Sequence, residues 1–156
     1  MENFTLQKKA ILIIGKRNSG KSQIIKYLSH YSISQNEFDE VYVVCPTNHF
    51  YDSLVSSNNI MDSYDEEWVE LLISKMSIIN DDKTSQGDKP VNVLLILDDL
   101  ANDKAFHRSK TIRQLYDRGC HNSIVVIAID QQLHSLATIM RSKSVLRFYV
   151  MNLEHQ

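Results

Sequence analysis

The chain has 156 residues, 43% hydrophobic and 23% charged, which suits one soluble globular domain with a sizeable core and excludes a disordered or fibrous chain. No apolar run approaches the roughly 20 residues that span a bilayer, the N-terminal MENFTLQKKA lacks the apolar stretch of a secretory signal, and Cys45 and Cys120 make no disulfide framework, so an intracellular protein with reduced thiols is expected. The net charge of −2 hides an asymmetry: Phe50 to Asp103 carries twelve Asp/Glu and three Lys/Arg, Lys104 to Arg147 eight Lys/Arg and two Asp, which excludes a uniformly basic nucleic-acid footprint but leaves room for a local basic surface.

Apolar runs alternate with helix-like segments, the pattern of an α/β fold with a central, mostly parallel sheet of about five strands flanked by helices. Ala10–Ile14 (AILII) reads as a buried central strand, and Lys21–His30 as the helix that follows it, with Ile24, Ile25 and Leu28 inward. Val41–Cys45 is a second strand stopped by Pro46. Trp68, Leu71, Leu72, Met76 and Ile79 give helical spacing over Ser63–Asn80, with Ser63 and Glu66 as a capping box. Asn80–Pro90 is polar and aperiodic, a mobile loop within a single domain spanning 1–156. Val91–Leu97 is the third strand, Asp103–Arg118 a helix ending near Gly119, and Ser123–Ile129 the fourth strand. A short helix over His134–Arg141 and a fifth strand over Val145–Val150 complete the pattern.

Gly15–Ser22 reads GKRNSGKS, a full match to G-x-x-x-x-G-K-[ST] placed between an apolar strand and an amphipathic helix. Loop amides and a helix N-terminus present partial positive charge to phosphate oxygens, so Gly15, Lys16, Arg17, Asn18, Ser19, Gly20, Lys21 and Ser22 are the candidate nucleotide-binding residues. Gly15 and Gly20 permit the tight backbone path, Lys21 brings a full charge to the β- and γ-phosphates, and the Ser22 hydroxyl suits Mg2+.

Val93–Asp99 (VLLILDD) ends an apolar strand in two carboxylates, and ligands of open α/β sheets bind at that end of the strands. Asp98 is the candidate Mg2+ partner, acting with Ser22, and Asp99 the candidate that orients or deprotonates an attacking water. Gln131, after the fourth strand, is placed to meet the γ-phosphate or that water. Tyr42, Phe50, Tyr51 and Tyr116 are read chiefly as core and secondarily as stacking platforms for a base. No pair among the six histidines has metal-ligand spacing. The helix bearing Lys104, Arg108, Lys110, Arg113 and Arg118 is a solvated face or a DNA contact.

GKRNSGKS, VLLILDD, DRGCHNS, IVVIAIDQQ and IMRSKS together resemble the DNA-packaging ATPases of large double-stranded DNA viruses, poxvirus-type members of the FtsK/HerA superfamily of P-loop ATPases, over about residues 8 to 150. The resemblance implies a P-loop NTPase fold, ATP and Mg2+ as cofactors, and Lys21, Asp99, Gln131 and Arg141 as catalytic residues. Within it, Arg141 acts as a finger on a neighbouring subunit's nucleotide. It further implies a homo-oligomeric ring, double-stranded DNA and capsid components as partners, and a place in the viral factory of the host cytoplasm or in the virion. The chain departs from the family pattern at Cys120, where an arginine is usual before His121, at Lys143, where an asparagine is common, and in stopping soon after the fifth strand.

The expected function is therefore an ATP-hydrolysing motor that packages or translocates viral double-stranded DNA into capsids. A small P-loop kinase and a nucleotide-gated, non-enzymatic interaction module remain alternatives. The kinase usually needs an arginine-bearing lid, and Asn80–Pro90 has no arginine; a GTPase is disfavoured because IAIDQQL stands where guanine would be read.

Overall fold

The computed structural model describes residues 5, 6, 10–16, 18–47, 50–118, 123–131 and 146–150. Strand β1 (Ile11–Gly15) is buried along its length, as five branched or small apolar residues require. It leads into helix α1 (Lys21–Ser34), which is longer than the predicted Lys21–His30 and turns Ile25 and Leu28 inward. Strand β2 is Glu40–Val44 and strand β3 only Ile60–Met61. Helix α2 (Glu66–Ser85) precedes strand β4 (Val93–Asp98), helices α3 (Lys104–Arg108) and α4 (Lys110–Arg118), and strands β5 (Ile124–Asp130) and β6 (Leu146–Val150).

Among the described residues six strands form one sheet in the order β3-β2-β4-β5-β1-β6. Every pairing is parallel, so the about five strands of the sequence become six through the short edge strand β3, paired Val43 to Ile60. Side chains alternate between two cores, as the period of two dictates. Leu12, Leu95, Leu97 and Val126 pack under Leu72 and Met76 of α2 and Ile112 and Leu115 of α4. On the opposite face Ile11, Ile13, Leu94, Ile96 and Ile127 pack under Ile25 and Leu28 of α1, with Phe38 and Tyr51 beside them. Strand β5 lies between β1 and β4, with Ile14 opposite Asp130 and Asp98 opposite Ile129. That register brings the ends of all three strands together.

Three further helix boundaries differ from the sequence reading, each for a local reason. Asp65, not Ser63, caps α2: its Oδ1 accepts from the Trp68 N–H at 3.2 Å, while the Ser63 hydroxyl turns to Asp62. The predicted mobile loop Asn80–Pro90 is helical through Ser85, and Gly87 at φ 78° supplies the left-handed turn that follows. The Asn80 amide donates to the Val91 carbonyl at 3.2 Å and accepts from the Val91 N–H at 2.7 Å, fastening α2 to the start of β4. The predicted helix Asp103–Arg118 is broken at Ser109 into α3 and α4, since the Ser109 hydroxyl accepts from the Ile112 N–H at 2.9 Å and caps α4. The predicted helix His134–Arg141 lies outside the described residues.

Glu66 closes this junction. Its carboxylate accepts from the Thr111 hydroxyl at 2.6 Å, the Thr111 N–H at 3.2 Å and the Tyr64 hydroxyl at 2.7 Å. Partial burial raises its pKa, but hydrogen bonds from Ser109, Thr111 and Tyr64 prevail and hold it at about 2, below the ordinary 4.5. A carboxyl depressed on folding contributes stability above its unfolded pKa and loses it as pH falls through its folded one. Glu66→Gln should therefore lower the urea unfolding midpoint at neutral pH, and its difference from the parent should shrink from pH 4.5 down to about 2. A gap that stays constant across that range contradicts the assignment.

Candidate active site

A cleft of about 480 Å³ opens at the carboxyl ends of the strands. Its lining combines Asn18, Lys21 and Ser22 from the β1–α1 connection, Thr47 after β2, Asp98, Asp99, Ala101 and Asn102 at the end of β4, and Ile129, Asp130 and Gln131 at the end of β5. The size is within the range of small-molecule sites, and the place is where open parallel sheets bind ligands.

The loop after Gly15 is drawn tight by a bond from the Ser19 N–H to the Lys16 carbonyl at 3.2 Å. Asn18 at φ 61° and Gly20 at φ 90° both take left-handed backbone. A Cβ on Gly20 would meet no atom within 4 Å, so glycine is needed there for its φ and not for space inside the chain. Gly20, which has no side chain to cap with, is also the N-cap of α1, and the first turn of that helix carries no acidic residue. The positive end of α1 is thus left for an outside anion.

Lys21 folds back over this loop, its ammonium donating to the carbonyls of Gly15 at 2.5 Å and Lys16 at 2.6 Å. Burial lowers its pKa, against the opposing charges of Asp98, Asp130 and Asp99. Asp98 is half-buried, and its Oδ2 accepts from the Tyr51 hydroxyl at 2.7 Å. Burial pushes its carboxyl up, the Tyr51 bond opposes that, and the neighbouring Asp99 charge adds to the rise. Asp99 turns out of the strand at φ 57° and is exposed; its Oδ2 meets the Thr47 hydroxyl at 3.5 Å, the outer limit of a hydrogen bond.

Lys21, Ser22, Asn18, Asp98, Asp99 and Gln131 therefore line one cleft, although they come from three separate stretches of sequence. Gly15 ends β1, Lys16 is exposed, and the Ser19 hydroxyl is buried without a partner among the described residues. Arg17 and Arg141 lie outside the described residues, as do Cys120 and His121. Gln131 is exposed, and its N–H donates to Asp130 Oδ1 at 2.5 Å.

Sequence reasoning missed Asp130 and Thr47 as site residues, and it gave Tyr51 as core or a base-stacking platform and not as a partner of Asp98. Asp130 is buried, 4% exposed, at the end of β5. Its signal was available, because SIVVIAI runs into it as VLLIL runs into Asp98. Tyr51 is fully buried and cannot stack on a base, Tyr116 is buried with its hydroxyl on the Ile11 carbonyl, and Tyr42 packs edge-on against Trp68. The core reading of these aromatics holds.

Oxygen donors dominate the cleft: the Ser22 hydroxyl, the Asp98 and Asp99 carboxylates and the Thr47 hydroxyl. Hard oxygen donors of this kind fit Mg2+. Among the described residues no three His, Cys, Asp or Glu side chains converge as a metal cage. The same residues show no helix long and apolar enough to cross a membrane.

The chain is similar to several known proteins. Uncharacterized protein 075L of Invertebrate iridescent virus 6 is 30% identical over 145 residues, covering 90% of this chain and 54% of that protein; the chain thus spans about half the length of this curated relative. Among solved structures, the genome packaging NTPase B204 from Sulfolobus turreted icosahedral virus 2, in complex with AMPPCP, superposes with a TM-score of 0.65 at 15% identity, over 96% of this chain and 78% of that one. EssC (ATPases 2 and 3) from Geobacillus thermodenitrificans superposes with a TM-score of 0.67 at 12% identity, over 97% and 34%. At such identities these structures share the fold. The family model described as Poxvirus A32 protein matches residues 2–156, bearing out the resemblance seen in the motifs. Because that match runs nearly from end to end and is not confined to the phosphate loop, the chain belongs to the Poxvirus A32 protein family.

Proposed function

We propose that this chain is an ATP-hydrolysing motor ATPase that packages or translocates viral double-stranded DNA into capsids. The observation that carries this reading is the joining of an uncapped helix N-terminus and Lys21 with the Asp98–Asp99 pair in one cleft. A triphosphate bound there has its anionic end against the loop and its γ-phosphate towards the acidic strand end. The similarity to a genome packaging NTPase solved with an ATP analogue supports nucleotide use and packaging over the alternatives of kinase and non-enzymatic module.

Each residue then has a physical task. The loop amides and α1 hold the phosphates, and the Lys21 ammonium exchanges its loop carbonyls for phosphate oxygens. Ser22 and Asp98 would hold Mg2+, which when bound neutralises phosphate charge and orients the γ-phosphate. Asp99 orients or deprotonates the attacking water, with Gln131 lining the same cleft. Arg141 reaches the nucleotide of a neighbouring subunit, which requires the ring. Exposed Lys104, Arg108, Lys110 and Arg113 on α3 and α4 give a basic surface suited to DNA phosphates, and the acidic stretch before them keeps that surface local. Work in the viral factory or virion, with capsid components as partners, follows from the same reading.

Two experiments test it. Lys21→Ala and Asp98→Asn should each reduce ATP turnover by about 10²-fold or more, as loss of one preorganised charge partner does, and EDTA should abolish it. Unchanged turnover in either variant contradicts the assigned site. Turnover per chain should rise with protein concentration as rings form, and Arg141→Ala should lower it by about 10³-fold or more. Mixing Arg141→Ala with Lys21→Ala chains should restore part of the activity, since one subunit supplies the arginine and the other the phosphate loop. No restoration and no concentration dependence contradict a finger acting in trans.

A further inference from the structure

Tyr51 lies 47 residues before Asp98 in sequence, in no recognised motif, yet its hydroxyl meets Asp98 Oδ2 at 2.7 Å. The tyrosine is 0% exposed and sits in the core formed with Ile11, Ile25, Cys45 and Ile96. Its backbone is fixed as well, because the N–H groups of Leu54 and Val55 both donate to the Tyr51 carbonyl, at 2.9 and 3.1 Å. Phe50 packs edge-on against the Tyr51 ring at 5.1 Å between centroids. A ring held on all sides has little freedom to swing its hydroxyl elsewhere, and a buried phenol needs a partner. The Tyr51 bond and a backbone hydrogen bond from Asp99 hold the Asp98 carboxylate in place, and Asp98 lines the cleft.

We infer that Tyr51 is a positioning residue: its buried hydroxyl orients the Asp98 carboxylate towards the cation of a bound Mg2+–triphosphate. This rests on the proposed nucleotide site and assigns a role beyond it. Outer partners of metal-binding carboxylates usually matter about 10- to 100-fold in metal affinity or activity. The contact of Thr47 with Asp99, at 3.5 Å, is too long to do the same for the second carboxylate.

The test reads binding. A fluorescent ATP analogue is titrated with the full chain in EDTA and in excess Mg2+, and the ratio of the two Kd values gives the Mg2+-linked gain. Tyr51→Phe should leave the Kd in EDTA within about twofold and shrink the Mg2+-linked gain about tenfold or more. Tyr51→Met, a second hydroxyl-free side chain for the same apolar site, should lose the same gain. In an Asp98→Asn background, Tyr51→Phe should have no further effect, because the tyrosine acts only through that carboxylate. A wild-type gain retained in Tyr51→Phe, or an additive loss in the Asp98→Asn background, overturns the inference. Parent protein that binds no nucleotide defeats the proposed site and this inference with it, whereas a parent that shows the gain isolates the role of Tyr51.

Discussion

Asp98 ends a run of five buried apolar residues, and a carboxylate there must find partners or become neutral. Burial does push its carboxyl up, and the surroundings answer with the Tyr51 hydroxyl on one oxygen and the Lys21 charge across the cleft. Lys21 is in the converse position: burial lowers its pKa while Asp98, Asp130 and Asp99 oppose that. The site is thus a set of charges held near one another by buried strands, each tolerable because of the others. A triphosphate with its cation completes this balance, bringing anionic oxygens to the ammonium and helix end and positive charge to the carboxylates.

Strand order makes this possible. With β5 inserted between β1 and β4, the phosphate loop and the acidic pair stand one strand apart, and the space between them is floored by Ile129, Asp130 and Gln131. The strand neighbouring both is buried at all seven positions and apolar at the first six, as a central strand must be. The polar residues arrive only where β5 ends, which sets them at the cleft and nowhere else.

The sequence made the phosphate loop and Asp98 legible because their chemistry is local: glycine at a left-handed φ, a helix start, and charge after an apolar run. It also made the parallel α/β architecture legible through the alternation of buried strands and amphipathic helices. Strand β3 escaped because two residues, Ile60 and Met61, make no pattern of their own and are strand only by pairing with β2. The last turns of α2 escaped because polar residues such as Asp81 and Lys83 read as loop, while the bonds between Asn80 and Val91 that fix the helix end join residues eleven apart. Tyr51 escaped for a related reason: what it does is decided by a contact across 47 residues, and nothing near it in sequence marks it.

The central claim is that the Lys21 ammonium and the Asp98 carboxylate face a triphosphate between them. A crystal structure of the chain with a non-hydrolysable ATP analogue and Mg2+ tests it most directly. The phosphates should lie over the Gly15–Ser22 loop, with the Lys21 ammonium moved from the Gly15 and Lys16 carbonyls onto phosphate oxygens and Asp98 beside the cation with Tyr51 still bound. Nucleotide bound elsewhere, or Lys21 still fastened to its loop carbonyls beside an occupied cleft, would contradict it.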